Sequence, residues 1–547
     1  MTAQTQSMIH NPILPGFNPD PSIVVVGDDF YIATSTFEWY PGVQIHHSKD
    51  LKNWRLVSRP LNRKVLLDMR GEPDSCGVWA PCISFSDGCF HLIYTDVKRF
   101  DGNFKDAHNY LTTCATINGE WSDPVYMNSS GFDPSLFHDD NGKKWFVNML
   151  WDHRHLKNRF GGILLQEYCP QQQKLVGEIK NIFAGSELGC TEAPHLFKRN
   201  GYYYLLTAEG GTSYSHAMTM ARSKNIDGPY ELDPYGYLLT AKDNPQLPLQ
   251  RAGHGDLFDT PNGESYLVHL CGRPLIGQRR CPLGRETSLQ KTYWTADGWV
   301  RVVNAVGNGL PALDVPAPNL PEYPWAPIQQ KHEFDKSELP IEFQWLRTPY
   351  PERFMSLSAR FGHLRLTGKQ SIGSLFEQAL IARRQQAFVY TAQTKLEFTP
   401  TNIQQMAGLT CYYNSHKFHY CYVSINNNGN RFIDIMSCLG DRKQFITFSL
   451  LESNPNSCGM DPRFILPKKG PIYLRADVDH HTLTFSFSSN EEDWTTLPVV
   501  LDYTIISDEA GEADADSFTG GFVGMACQDV SGQQCIADFD YFSYIEK

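Results

Sequence analysis

Three acidic residues stand in nearly the same local sequence at wide intervals. Asp20 lies in Asn18-Pro19-Asp20-Pro21-Ser22, Asp133 in Gly131-Phe132-Asp133-Pro134-Ser135, and Glu192 in Thr191-Glu192-Ala193-Pro194-His195. Carboxyl groups held near one another can divide the roles of proton donor, proton acceptor and nucleophile, because each neighbour's charge shifts the other's pKa. Taken singly, each has a plain structural explanation. Asp before Pro is a common turn former, and a lone Glu is more often a solvated loop residue. Their recurrence in register argues otherwise.

The recurrence implies the elements that position them. Pro21, Pro81, Pro134 and Pro194 are spaced by 60, 53 and 60 residues. After each comes a short apolar run, a turn signal (Gly27-Asp28, Asp87-Gly88, Asn141-Gly142, Asn200-Gly201) and a second apolar run. A degenerate fifth unit starts at His254-Gly255-Asp256 and turns at Asn262-Gly263. The second half of each unit also repeats, Ile45 to Trp54 resembling Met220 to Tyr230. Four short strands in each period of about 40 to 60 residues is the signature of a propeller blade. A parallel solenoid would have shorter periods and fewer hairpins. Five units predict five blades. Blade-initial loops converge on the propeller axis, so the funnel is expected to receive Asp20, Trp79, Asp133, Glu192 and His254.

Aromatic residues flank these positions: Phe37, Trp39 and Tyr40 after the first hairpin, and Trp79 at the second unit's start. Any one such ring is more readily explained by blade packing. Carboxylates with aromatic platforms, and without His clusters at metal-binding spacing, point to a carbohydrate. Glycoside hydrolysis needs a carboxyl pair, one acid for the leaving oxygen and one base or nucleophile opposite. A non-catalytic carbohydrate-binding protein would need the aromatics but not three carboxylates. A protein-interaction scaffold would show exposed apolar patches rather than an acidic funnel.

At 547 residues, with 41% hydrophobic and 20% charged content, the chain is long enough for two domains and has ordinary globular composition. Its net charge of −12 argues against nucleic acid and anionic membranes as partners. No basic-then-apolar leader precedes the repeats and no run of 18 apolar residues occurs, so a cytoplasmic protein is expected. The 14 cysteines are scattered without zinc spacing and read as reduced thiols packed as small hydrophobes. Six prolines between Pro311 and Pro327 mark a stiff, extended strap. Beyond it, alternating runs such as Leu364-Thr367, Thr394-Phe398 and Leu483-Ser488 predict two packed antiparallel sheets. The expected fold is all-β: a five-bladed β-propeller over residues 1–310, a Pro-rich linker over 311–329 and a β-sandwich over 330–547.

The three acidic motifs, together with Ser35-Thr36-Phe37-Glu38-Trp39, Val78-Trp79-Ala80-Pro81 and Gly520-Gly521-Phe522-Val523-Gly524-Met525, resemble those of glycoside hydrolase family 43, most closely its two-domain β-xylosidases. The resemblance spans both expected domains. It implies an inverting hydrolase with Asp20 as general base, Glu192 as general acid and Asp133 orienting that acid and tuning its pKa. It also implies that Arg285, in Leu283-Gly284-Arg285-Glu286-Thr287, contacts sugar hydroxyls, and that Trp79 and Phe37 shape the terminal subsite. Phe518 is then the candidate for a second-domain residue that closes the pocket. No cofactor is required, although some relatives hold a divalent ion such as Ca2+ near the residue matching His254. The implied substrate is a short β-1,4-xylo-oligosaccharide cut from its non-reducing end, with an α-L-arabinofuranoside as the alternative. Assembly as a homo-oligomer is compatible with this reading.

Overall fold

A computed structural model describes residues 7–303, 305, 307–440, 447–449, 462–511 and 517–547. Among these, helix is confined to three single 3-10 turns, Pro351–Arg353, Pro462–Phe464 and Tyr503–Ile505. No helix is long and apolar enough to cross a membrane.

Five antiparallel meanders follow one another along the first 302 residues. Their innermost strands are Ser22–Val26, Gly77–Ser86, Ser135–His138, Glu192–Arg199 and Gln250–Asp259. Inner and second strands are joined by turns of the kind the sequence signals. Asp87 and Gly88 (φ 54° and 74°) and Asn200 and Gly201 (φ 49° and 75°) both place two successive residues at positive φ. That is the requirement of a type I′ hairpin, which Asn, Asp and Gly meet most easily. Apolar clusters such as Phe30, Ile32, Phe258 and Tyr266, or Tyr204, Leu206, Met220 and Trp299, fill the gaps between blades.

The Pro-rich segment does more than join two domains. Its strand Asp314–Pro316 pairs with Met8–His10 near the start of the chain. Asn11 donates through Nδ2 to the carbonyls of Leu289 and Ala312, at 2.7 and 2.8 Å. Further on, the Trp325 ring lies 3.7 Å from the Arg55 guanidinium, and the Trp325 indole donates to Asn53 O at 3.1 Å. The strap therefore runs along the propeller and binds its first and fifth blades.

Among the described residues, the C-terminal domain is built on two packed sheets of nine and eight strands, one strand of the second coming from the propeller. Val389–Phe398 and Ile472–Asp479, in the nine-stranded sheet, alternate buried and half-buried residues, as expected with one face on the core and one toward solvent. Phe522–Asp529, in the eight-stranded sheet, is buried at every residue. That sheet has the sandwich core on one face and the propeller on the other. The propeller even lends it a strand, Trp39–Tyr40, which pairs with Phe343–Leu346. Trp39 stacks on Phe522 with centroids 3.6 Å apart, and Trp39, Phe37, Trp79, Leu346 and Phe522 belong to one apolar cluster shared by both domains. Arg347 carries a charge into this interface. Fully buried, it pairs with Asp74 at 2.7 Å and donates to Glu72 O at 2.8 Å. Removing one partner of such a buried pair costs about 3–5 kcal/mol.

Candidate active site

The five blade starts share a backbone feature. Asp20, Ala80, Asp133, Ala193 and His254 have φ of 57°, 35°, 54°, 50° and 37°. Non-glycine residues rarely adopt this left-handed region, and here all five equivalent positions do so. In the second, fourth and fifth blades the strand register slips at this point, between Trp79 and Cys82, Glu192 and His195, and Gly253 and Gly255. Such a bulge re-aims side chains. The bulge corrects the alignment of the repeats expected above. Trp79 and Glu192 are not equivalent to Asp20 and Asp133 but stand one residue earlier, beside Ala80 and Ala193. Each blade can thus offer the funnel either of two adjacent side chains. The first and third use the left-handed residue, the second and fourth the one before it. In the fifth blade that earlier position is Gly253, where a Cβ would lie 2.4 Å from the His216 ring, leaving His254 to face the funnel.

Asp20, Asp133, Glu192, Phe37, Trp79, Arg285, Phe518 and His254 all line one cavity of about 550 Å³. Asp20 is held as part of an ion pair. Arg285 Nη1 donates to its Oδ1 at 2.9 Å, and Ser35 Oγ donates to its Oδ2 at 2.7 Å. Ser35 is fixed in turn by the Ala80 N–H at 2.7 Å. Asp133 accepts the Ala193 N–H at 3.1 Å, which ties the third blade's carboxyl to the backbone beside Glu192. Burial pushes the Asp133 carboxyl up to about 8, with the Asp20 charge adding to the effect. Glu192 is raised well above an ordinary glutamate, first by burial and then by Asp133 and Asp20. The resemblance implied that Asp133 tunes this acid; in the structure loss of solvent is the first cause of the rise and the Asp133 charge the second. Three such groups cannot all ionise together in a dry pocket. Asp20 is the carboxyl with a cationic partner, Arg285, while Asp133 and Glu192 are the two pushed toward their protonated forms.

The aromatic walls come from both domains. Phe518 lies 6.3 Å from Phe37 and 5.8 Å from Trp79, centroid to centroid, with Trp79 edge-on to Phe132 at 5.4 Å. Asp508, Glu509 and Ser517 of the second domain line the same cavity. Arg251, from the fifth blade, pairs with Asp508 at 2.8 Å and Glu509 at 3.0 Å. Lys105 sits 4.3 Å over the Trp151 ring. Sequence reasoning missed Lys105, Trp151, Arg251, Asp508 and Glu509. Of these only Arg251, three residues before His254, stood near any motif. Arg285 bonds the Asp20 carboxylate, a contact absent from the role the resemblance implied.

The neighbourhood of His254 does not make a metal site of several protein ligands. Among the described residues, no group of three or more His, Cys, Asp or Glu side chains is placed to hold an ion. The His254 Nδ1 lies 3.8 Å from Asp20 Oδ1, whose oxygen already meets the Arg285 cation. Burial lowers the imidazole to about 4, so it is neutral at ordinary pH. A hard cation there would find one imidazole and one carboxylate oxygen already paired with a guanidinium, a poor set for an oxygen-seeking ion.

A site built only to hold a ligand would have no use for three buried carboxyls, two of them raised toward neutrality. With aromatic walls and a carboxylate fixed by arginine, the fold and site define a glycoside hydrolase. Comparison with known proteins carries this further. The chain belongs to glycosyl hydrolases family 43, whose profile matches residues 9–300; residues 331–545 match the beta xylosidase C-terminal concanavalin A-like domain. A "Xylosidase/arabinosidase 43B" of Humicola insolens is 52% identical over 98% of this chain and 97% of its own length. A "Beta-xylosidase" of Bacillus subtilis (strain 168) is 49% identical over 98% of this chain and all of its own. The crystal structure of a xylan beta-1,4-xylosidase from Bacillus halodurans C-125 superposes with a TM-score of 0.94 at 51% identity, covering 98% of this chain and all of that one.

Proposed function

We propose that the protein is an exo-acting, inverting β-xylosidase that releases D-xylose from the non-reducing end of short β-1,4-xylo-oligosaccharides. The observation that carries this reading is one cavity containing Asp20, Asp133 and Glu192 from separate blades and a wall, Phe518, from the second domain. Glu192, raised by burial, keeps its proton and gives it to the leaving glycosidic oxygen. Asp20, steadied by Arg285 and Ser35, takes the proton of the water that attacks the anomeric carbon. Asp133 holds the backbone at Ala193 and, where ionised, keeps the neighbouring acid protonated. A wall from a second domain favours chain ends over the interior of a polymer. Small, importable substrates of this kind suit a cytoplasmic enzyme.

A second activity on α-L-arabinofuranosides is favoured by the relative named xylosidase/arabinosidase, which shares 52% of its residues with this chain. A panel of nitrophenyl glycosides, together with β-1,4- and β-1,3-xylobiose, tests both readings. Proton NMR of the first product should show α-xylose; β-xylose as initial product would remove Asp20 from its role as a base acting through water.

A further inference from the structure

Phe518 belongs to the sandwich, yet both of its main-chain polar groups are bonded by propeller side chains. Its N–H donates to Ser75 Oγ at 3.1 Å, and its carbonyl accepts from Arg285 Nη2 at 2.8 Å. Arg285 reaches on to Asp20 through Nη1. Ser75 also reaches the opposite wall, because the Trp79 indole donates to Ser75 O at 2.9 Å. The Ser75 N–H is spent on Glu38 Oε2 at 3.2 Å. Its φ is 63°, a conformation that a non-glycine residue holds only when its surroundings enforce it. The enforcement comes from the preceding residue, Asp74, which is paired with Arg347 at 2.7 Å and accepts the Ser415 N–H at 3.2 Å. Ser75 is wholly buried and does not line the cavity.

We propose that Ser75 is a positioning residue for this site: it fixes the distance between the propeller's Trp79 wall and the sandwich's Phe518 wall, and so sets affinity for the terminal sugar. The proposal rests on the glycosidase reading above. Ser75 touches no substrate, and its hydroxyl acts through the Phe518 backbone.

The full-length Ser75→Ala and Ser75→Gly variants test this. Both lose the hydroxyl, but glycine tolerates positive φ, so the glycine variant relieves strain and guards against a folding defect. KM for xylobiose should rise about three- to tenfold in both, the size expected for one net hydrogen bond, with kcat within about twofold and Tm preserved in the glycine variant. In a Phe518→Ala background, Ser75→Ala should add almost nothing to KM, since the wall it positions is gone. Unchanged KM in both single variants, or effects that multiply fully with Phe518→Ala, would overturn the proposal. If the wild type released no sugar from any glycoside, the functional reading would fall instead. Amide exchange at Phe518 would then decide the clasp: faster exchange in Ser75→Ala supports it, and unchanged protection refutes it.

Discussion

The two sides of the cavity are built on different principles. On the propeller side, Asp20, Asp133, Glu192 and His254 come from repeated positions, each at or beside a left-handed residue just before or within an inner strand. Strong local geometry, reproduced five times, aims these groups at one axis. On the sandwich side, Asp508 and Glu509, and Ser517 and Phe518, come from positions outside any strand, held by Arg251, Ser75 and Arg285 of the other domain. Repetition places the charges that do chemistry, while residues borrowed from the second domain supply a wall for the sugar. Cleavage should therefore fail when the propeller's base or acid, Asp20 or Glu192, is removed, and affinity should weaken when sandwich contacts change.

The largest effect expected breaks the comparison outright. Deleting residues 330–547 should leave insoluble protein, because it exposes Trp39 and Tyr40, now 0% and 1% accessible, and removes the strand partner of Trp39–Tyr40. A soluble fragment with unchanged kcat/KM would show the sandwich to be an accessory. Next in size, Asp20→Ala should lower kcat about 10²- to 10⁴-fold on xylobiose and on aryl xylosides alike, since the base is needed whatever the leaving group. A variant with kcat near wild type would place the base elsewhere. Phe518→Ala should raise KM about tenfold or more with a smaller change in kcat, because burying a phenylalanine contributes roughly 1.5–3 kcal/mol. A loss confined to kcat would put the sandwich into the chemistry and blur the contrast.

Asp133→Asn should have the smallest and most diagnostic effect. Burial is the first cause of Glu192's raised pKa and Asp133's charge the second, so removing that charge lowers it only in part. A lower pKa means Glu192 loses its proton at lower pH, so the basic limb of the kcat profile should move to lower pH. The acidic limb should move less. An unmoved basic limb with near-normal rate would leave Asp133 as a turn residue before Pro134.

How much of this was readable in the chain follows the same division. Pro21, Pro81, Pro134 and Pro194 repeat because each follows a left-handed residue, so the blades and their three carboxyls were legible from spacing. The one-residue offset of Trp79 and Glu192 is in the spacing too, since each stands two residues before its proline, but the bulge that lets such a residue face the funnel was not legible. Phe518 and Arg285 were found through the family resemblance rather than by periodicity. Asp508 and Glu509 sit in a stretch without repeat or motif, and only the docking of two domains brings them to Arg251. Lys105 arrives by a loop between strands Cys89–Arg99 and Asp106–Cys114, and nothing in its neighbours signals the Trp151 ring beneath it. Pro311 to Pro327 were legible as extended chain, but their attachment to Asn53 and Arg55 depends on contacts far apart in sequence.

The central claim is that Glu192 delivers the proton to the departing oxygen. It is tested most directly by comparing Glu192→Ala on two substrates with the same sugar and different leaving groups. The xylose leaving group of xylobiose needs that proton, so kcat should fall about 10²- to 10⁴-fold. An aryl xyloside with an acidic phenol, whose oxygen can depart unprotonated, should lose far less. Equal losses on the two substrates would contradict the assignment.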